Sequence, residues 1–473
     1  MEIPTRRVRY VFGLSLILVF LVSFVSSGLA QSSVITTYVG PPLPLDGAMA
    51  MTQAIDQPSS VVPDGAGGFY VASVSQNRVY RVAVDGALTS IAGNSSNGFS
   101  GDGGPAASAQ LNGPRGVAVD VSGNLYIADT KNSRVRKVTA DGVISTVAGK
   151  GTVGFSGDGG LATSAQLFLA PPNSGYASSS GIAVDVAGNL YIGDTNNYRV
   201  RKVTADGVIS TVAGNGTFGF SGDGGLAISA QLNLPSGVAV DAAGNLYVAD
   251  TENYRVRKVT PGGVISTAVG QDTTAEGYGP QAIAVDAAGN LYVARWPVAS
   301  DSVIKVTADG MISTIAGNGI SGFSGDGGPA ASAQLNLSFF GGVAVDVAGN
   351  LYIADTLNSR VRRVGNASDL QLVTDIQFDP FNVRIQSSWT ATFIGINLTD
   401  QTYFDLRFRA PGNDKDQIAL NWQRGTAAPH SVPSGTDAGT WTVTGVRPHQ
   451  DVSDHSANFV SVSKTLVVTQ MAF

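Results

Sequence analysis

Three glycine-rich stretches have the spacing of a phosphate cradle. Gly149-Lys-Gly-Thr-Val-Gly154, Gly214-Asn-Gly-Thr-Phe-Gly219 and Gly317-Asn-Gly-Ile-Ser-Gly322 each read G-x-G-x-x-G. That pattern holds a pyrophosphate when its glycines open a long helix. Here each copy runs on into Phe-Ser-Gly-Asp-Gly-Gly, which starts no helix, and three copies do not suit one cofactor. They read as loops. The Gly-Asp-Gly-Gly segments themselves present Asp102, Asp158, Asp223 and Asp326. As calcium loops they offer one carboxylate each, against the roughly six to eight oxygens that calcium takes. As structural turns they would be capped by Asp and followed by a leucine (Leu111, Leu167, Leu232, Leu335) wedged between neighbouring units. Both readings stay open, and the four aspartates are candidate ligand-binding residues.

A second set repeats as Asp-Thr-x-Asn-x-Arg: Asp129, Asn132 and Arg134; Asp194, Asn197 and Arg199; Asp250, Asn253 and Arg255; Asp355, Asn358 and Arg360. Chemistry needs different groups converging on one point, not one group repeated around an axis. These sets therefore read as turns whose Asp and Asn bond the local backbone. The groups that usually do acid, base or nucleophilic work are scarce. Cysteine is absent, which excludes thiol catalysis, disulfides and cysteine-bound zinc. Histidine occurs only at His430, His449 and His455, and glutamate only at Glu2, Glu252 and Glu276. No catalytic residue, cofactor or metal is expected.

The elements that position these residues are short strands. Gly, Asp, Asn, Val, Ile, Thr and Tyr dominate, and they are strand and turn formers. Self-similarity is anchored on Tyr70, Tyr126, Tyr191, Tyr247, Tyr292 and Tyr352. In one copy, Gly116–Asp120 is an apolar first strand, Leu125–Asp129 a second, Arg134–Thr139 a half-exposed third and Val143–Ala148 a fourth. Asp141-Gly142 makes the hairpin turn before the last strand. A lone four-stranded sheet of this size cannot bury both faces. Radial packing solves that and gives a β-propeller.

The unit Val-Asp-x-x-Gly-Asn-Leu-Tyr-Ile-Ala-Asp-Thr-x-Asn-x-Arg-Val resembles the NHL repeat. Its linkers resemble those of the teneurin NHL propeller and of many exported bacterial proteins. The resemblance covers roughly residues 34–365 and implies six blades. The sixth copy stops at Val364 without its last strand, and Val34-Ile-Thr-Thr-Tyr-Val-Gly40 supplies that sequence at the other end. The N-terminal strand is therefore expected to close the ring. Some six-bladed propellers are lyases or lactonases. Their resemblance would require a catalytic or metal-binding histidine, or a Glu/Asn/Asp calcium set, on this propeller. No histidine lies before residue 430, Glu252 falls in a turn and Glu276 in a linker. The inner strands Gly116–Asp120, Gly181–Asp185, Gly237–Asp241, Ala282–Asp286 and Gly342–Asp346 are apolar up to their last residue. A binding or scaffold protein is the expectation, and a propeller lyase or lactonase the alternative.

The ends of the chain follow other rules. Arg6, Arg7 and Arg9, the apolar run Val11 to Val25 and the small residues Gly28 and Ala30 have the grammar of a signal peptide over residues 1–30. This predicts an exported protein, secreted, periplasmic or at the cell surface, with no membrane insertion after cleavage. The net charge of −6 argues against nucleic acid. The organisation expected is a signal at 1–30, a six-bladed propeller at 31–366 and an immunoglobulin-like β-sandwich at 367–473. One unit departs from the repeat: its incoming linker ends at Tyr278 and its polar turn is replaced by Arg295-Trp296-Pro297. An irregular patch with Trp, Arg and Tyr has hot-spot composition. Trp296, Arg295 and Tyr278 are therefore the leading candidates for contact with a protein or polysaccharide.

Overall fold

In a computed structural model the described residues are 33–39, 46–48, 50–170, 181–270, 279–296, 301–337 and 341–366, with strands alone between 372 and 469. The signal reading of residues 1–30 lies outside them. The chain is all-β, with single turns of 3-10 helix and no α-helix among the described residues.

Six antiparallel sheets form the blades. Blade 2 shows the pattern: Pro114–Val119 innermost, then Leu125–Asp129, Arg134–Val138 and Ile144–Ala148. Blades 1, 3, 4 and 5 repeat it, starting at Pro58, Ile182, Pro235 and Gly279. Blade 6 holds Val343–Val345, Leu351–Asp355 and Arg360–Asn366, and its fourth strand is Ser33–Val39. Ser33 pairs with Asn366 and Thr36 with Arg363, antiparallel. The N-terminal strand thus closes the ring and hides two sheet edges at once. One hydrophobic cluster fills each seam between blades, including the seam from blade 6 to blade 1, where the Phe69 and Tyr352 rings lie 5.1 Å apart.

The wedge reading of the linker leucines holds. Leu111, Leu167, Leu232 and Leu335 are fully buried, each in a seam cluster. Burying such a side chain is worth about 1.5–3 kcal/mol. The inner strands approach too closely for side chains at their crossing points. A Cβ on Gly181 would lie 2.7 Å from Gly237 Cα, and one on Gly237 2.8 Å from Ala282 Cα.

The strands beyond residue 372 form a three-stranded and a five-stranded sheet. Their pairings are antiparallel except for Asn382–Arg384 beside Val460–Thr469. The expected immunoglobulin-like packing of these sheets depends on side chains outside the described residues.

Candidate functional site

Two sets of loops share one face of the ring: the turns after the second strands and the linkers between blades. They are tied together directly. Asn132 Nδ2 donates to Gly98 O at 2.6 Å, and Asp129 Oδ1 accepts from the Asn112 amide at 2.7 Å. The turn aspartates therefore bond the linker rather than only their own backbone.

The third strand corrects the sequence reading. It is not half-exposed throughout: Arg136, Arg201, Arg257 and Arg362 are completely buried. Each bridges two carboxylates. Arg136 Nη2 lies 2.6 Å from Asp102 and Nη1 3.4 Å from Asp129. The corresponding distances are 2.5 and 3.3 Å for Arg201 with Asp158 and Asp194, and 2.6 and 3.2 Å for Arg257 with Asp223 and Asp250. For Arg362 with Asp326 and Asp355 they are 2.7 and 3.3 Å. In blades 2, 3 and 4 the other oxygen of the linker aspartate accepts from Thr146, Thr211 or Thr267, each at 2.7 Å. Asp102, Asp158, Asp223 and Asp326 are thus engaged inside the chain, latching each linker to its blade.

Burial raises the pKa of the inner carboxylates. It takes Asp129 to about 6, against Asn132, Asn112 and Arg136, which pull it down. Asp194, Asp250 and Asp355 are raised for the same reason. A buried guanidinium is tolerable only with such partners, and the blades themselves show the coupling. Blade 1 has Ser73 in place of the turn aspartate and Tyr80 in place of the arginine. Blade 5 has Arg295 and Ile304 in those two places. Aspartate and arginine are present together or absent together. That co-occurrence was readable in the sequence and is the signal that finds the buried arginines.

In blades 2, 3, 4 and 6 the first arginine of the third strand is also spent internally. Arg134 donates to Asn132 O and Lys150 O and stacks 3.7 Å from the centre of the Phe99 ring. Arg199, Arg255 and Arg360 lie over Phe155, Phe220 and Phe323. This stacking explains the first two G-x-G-x-x-G motifs. A Cβ on Gly151 or Gly216 would fall 2.1 Å from the guanidinium of Arg134 or Arg199. These glycines clear space for an arginine, with no helix behind them.

On the other face, the aspartate ending each inner strand closes its hairpin. Asp120 accepts from the Ser122 and Asn124 amides at 2.9 Å, from Asn124 Nδ2 at 2.8 Å and from Tyr126 OH at 3.2 Å. Among the described residues no three His, Asp or Glu side chains converge as a metal-ligand group.

What is left on the loop face is what does not repeat. Arg115, just before the inner strand as read from the sequence, was missed there. It lines the central cavity of about 220 Å³ together with Ser59 and Ser60. It is 4% exposed, and burial lowers its pKa to about 10. Arg295 is half-buried and donates to Ser302 Oγ at 3.1 Å. Trp296 ends the strand Leu291–Trp296, opposite Gly279. Its side chain and Tyr278 lie outside the described residues. Arg295 pairs with Pro280 as Asp129 pairs with Pro114, so Arg295 and Arg115 stand at the same end of their blades.

A family model for the teneurin NHL domain matches residues 96–156 and 218–278, each a linker with the blade that follows it. Two of the six blades, with their linkers, thus match the teneurin NHL domain. Mouse Teneurin-1 is 30% identical over 231 residues, covering 34% of this chain and 8% of that protein. Mouse Teneurin-4 is 32% identical over 228 residues, with 33% and 8% covered. The chain thus spans about 8% of the length of these relatives. Among solved structures, a protein of unknown function from Bacteroides thetaiotaomicron superposes with a TM-score of 0.50 at 17% identity. That match covers 71% of this chain and 76% of the other and shares the fold alone.

Proposed function

We propose that this chain is an exported, non-catalytic binding protein that holds a protein or polysaccharide on the loop face of its NHL propeller. One observation carries the reading: the repeated Asp, Asn and Arg side chains of that face are already bonded to one another. Groups locked in ion pairs are poorly placed to exchange protons with a substrate. Binding then falls to the residues that break the repeat, Arg115, Arg295 and Trp296. Two arginines at one end of the blades favour a ligand with carboxylate groups. Residues 1–30 direct export, and residues 367–473 add an immunoglobulin-like sandwich beside the propeller.

The test is a binding screen of the purified chain against acidic and neutral polysaccharides and surface-protein extracts, repeated with three variants. Trp296→Ala and Arg115→Ala should each weaken binding about 30-fold or more, as hot-spot truncations do. Asp129→Asn should leave affinity unchanged and lower stability. The reverse pattern would move the site to the repeated turns. Turnover of a lactone or polysaccharide would replace this reading with an enzyme.

A further inference from the structure

Five of the six blades have the outer edge of their fourth strand covered by an extended strap from the preceding linker. In blade 2 the Gly103 amide donates to Ile144 O at 2.8 Å, the Ile144 amide to Gly104 O at 3.0 Å and the Ala106 amide to Gly142 O at 2.8 Å. The same three bonds recur in blade 3 with Gly159, Gly160 and Ala162, and in blade 4 with Gly224, Gly225 and Ala227. Blade 1 has Gly47, Ala48 and Ala50 in these roles. In blade 6, Gly328 and Pro329 pair with Ile35 and Val34. The strap sequences are Gly47-Ala-Met-Ala50, Gly103-Gly-Pro-Ala106, Gly159-Gly-Leu-Ala162, Gly224-Gly-Leu-Ala227 and Gly327-Gly-Pro-Ala330. All obey Gly-(Gly/Ala)-x-Ala, and the strap alanines Ala50, Ala106, Ala162, Ala227 and Ala330 are buried.

No described residue forms such a strap in front of blade 5. The connection Gly214–Gly237 ahead of blade 4 is replaced by the much shorter Gly270–Ala282, which lacks the motif. The consequence is visible on the strand Ile312–Gly319. Leu88, Ile144, Ile209 and Ile265 are 0% exposed beneath their straps, whereas Ile312 is 59% and Met311 68% exposed. No hydrogen bond from described residues outside the blade reaches Ile312 or the carbonyl of Gly310. The edge also lacks the usual guards. No Lys, Arg, Pro, Asp or Glu occurs from Gly310 to Gly325.

We propose that this edge is a docking site for an extended peptide segment of another protein, bound as the missing strap. The partner carries Gly-(Gly/Ala)-x-Ala, since the straps of blades 1 to 4 use that sequence to reach the same three backbone groups and the strap of blade 6 pairs in the same register. The aspartate before the first glycine has no arginine to meet here, because Ile304 stands where blades 2, 3, 4 and 6 bury one; in blade 1, where Tyr80 takes that place, the strap aspartate Asp46 accepts from the Ser90 amide instead. Main-chain bonds supply the affinity and the small residues supply the fit. A short edge of this length gives less area than a stable dimer requires, so a peptide suits it better than a second copy.

The experiment uses the full chain and a synthetic peptide with the sequence of residues 222–232, beside a scrambled control. Hydrogen exchange is read at the Ile312 amide. In the free protein it should exchange at least about tenfold faster than the Ile144, Ile209 and Ile265 amides. The peptide should slow Ile312 and leave the other blades unchanged. Ile312→Pro removes the outward donor at an edge position that tolerates proline and should weaken the peptide about tenfold or more. Ile312→Lys is the second variant should the first misfold. Equal protection of Ile312 in the free monomer would overturn the proposal. So would peptide binding that ignores both variants, or protection that rises with protein concentration, which would make the occupant a second copy. None of these results bears on ligand binding at the loop face.

Discussion

Arg257→Tyr is the perturbation that best isolates the linker latches. Its guanidinium donates to Asp223 at 2.6 Å, to Asp250 at 3.2 Å and to Ser221 O at 3.0 Å, all without exposure of its own. Removing it leaves Asp250 buried as an uncompensated carboxylate. Breaking one side of a buried ion pair costs about 3–5 kcal/mol. At about 2–4 °C per kcal/mol for a large domain, the midpoint should fall by roughly 6–20 °C. Blade 1 shows that the fold accepts Tyr80 in this place when Ser73 replaces the aspartate. The double variant Asp250→Ser with Arg257→Tyr should therefore regain at least about half of the loss, because it leaves no fully buried orphan charge, the remaining Asp223 being part-exposed. Urea unfolding of the parent, both singles and the double gives the coupling energy directly. A single variant within about 1 kcal/mol of the parent, or a double that loses the sum of its singles, would refute the reasoning.

Deleting residues 33–39 removes the outer strand of blade 6 and exposes the edge of Arg360–Asn366, so the propeller should lose cooperative thermal unfolding. An unchanged midpoint would show closure made elsewhere. Between 3.8 and about 6 the folded state keeps a proton on Asp129 that the unfolded chain releases. Falling pH in that window therefore favours the fold at Asp129 and rising pH removes the contribution, and the raised Asp194, Asp250 and Asp355 act in the same direction. The hairpin aspartates Asp120, Asp185 and Asp286 run the other way. Burial opposes their ionisation, but hydrogen bonds from Asn124, Asn189 and Asn290 and neighbouring amides hold them low, so their contribution is lost as pH falls through those lowered values. Carboxyl NMR titration checks both directions, and Asp129 titrating in the ordinary carboxylate range would contradict the first. Gly216→Ala should destabilise blade 3 by displacing Arg199 from the Phe155 ring, seen as a lowered urea midpoint, while a neutral result would mean that the arginine moves freely.

The ring was legible because it is written in periodicity. Six tyrosines, the hairpin turns and a strand sequence displaced to the N-terminus dictate blades, register and closure. The linker leucines were legible too, since an apolar residue between glycine-rich turns has few places to go. The arginines were not. Arg134 and Arg136 differ by two positions and look alike in an alternating strand, yet one lies over a phenylalanine near solvent and the other is sealed between two aspartates. Only comparison across blades separates them, where Ser73 with Tyr80 and Arg295 with Ile304 break the pattern in pairs. Arg115 escaped for a different reason. A single residue ahead of an apolar strand carries no periodic signal, and its place on the channel wall comes from packing between blades. The shortened linker ahead of blade 5 lacks the strap motif, and its meaning is legible only once the five straps reveal what that motif does.

The claim that the loop face binds without turnover has one most direct measurement. The purified chain is incubated with a panel of lactones, acidic and neutral polysaccharides and surface-protein extracts. Whatever it retains is eluted and weighed by mass spectrometry beside the untreated material. The account predicts a retained ligand of unaltered mass, lost from the eluate of Trp296→Ala and Arg115→Ala. A retained or released species with a hydrolysed or eliminated bond, formed by the parent chain, would contradict it.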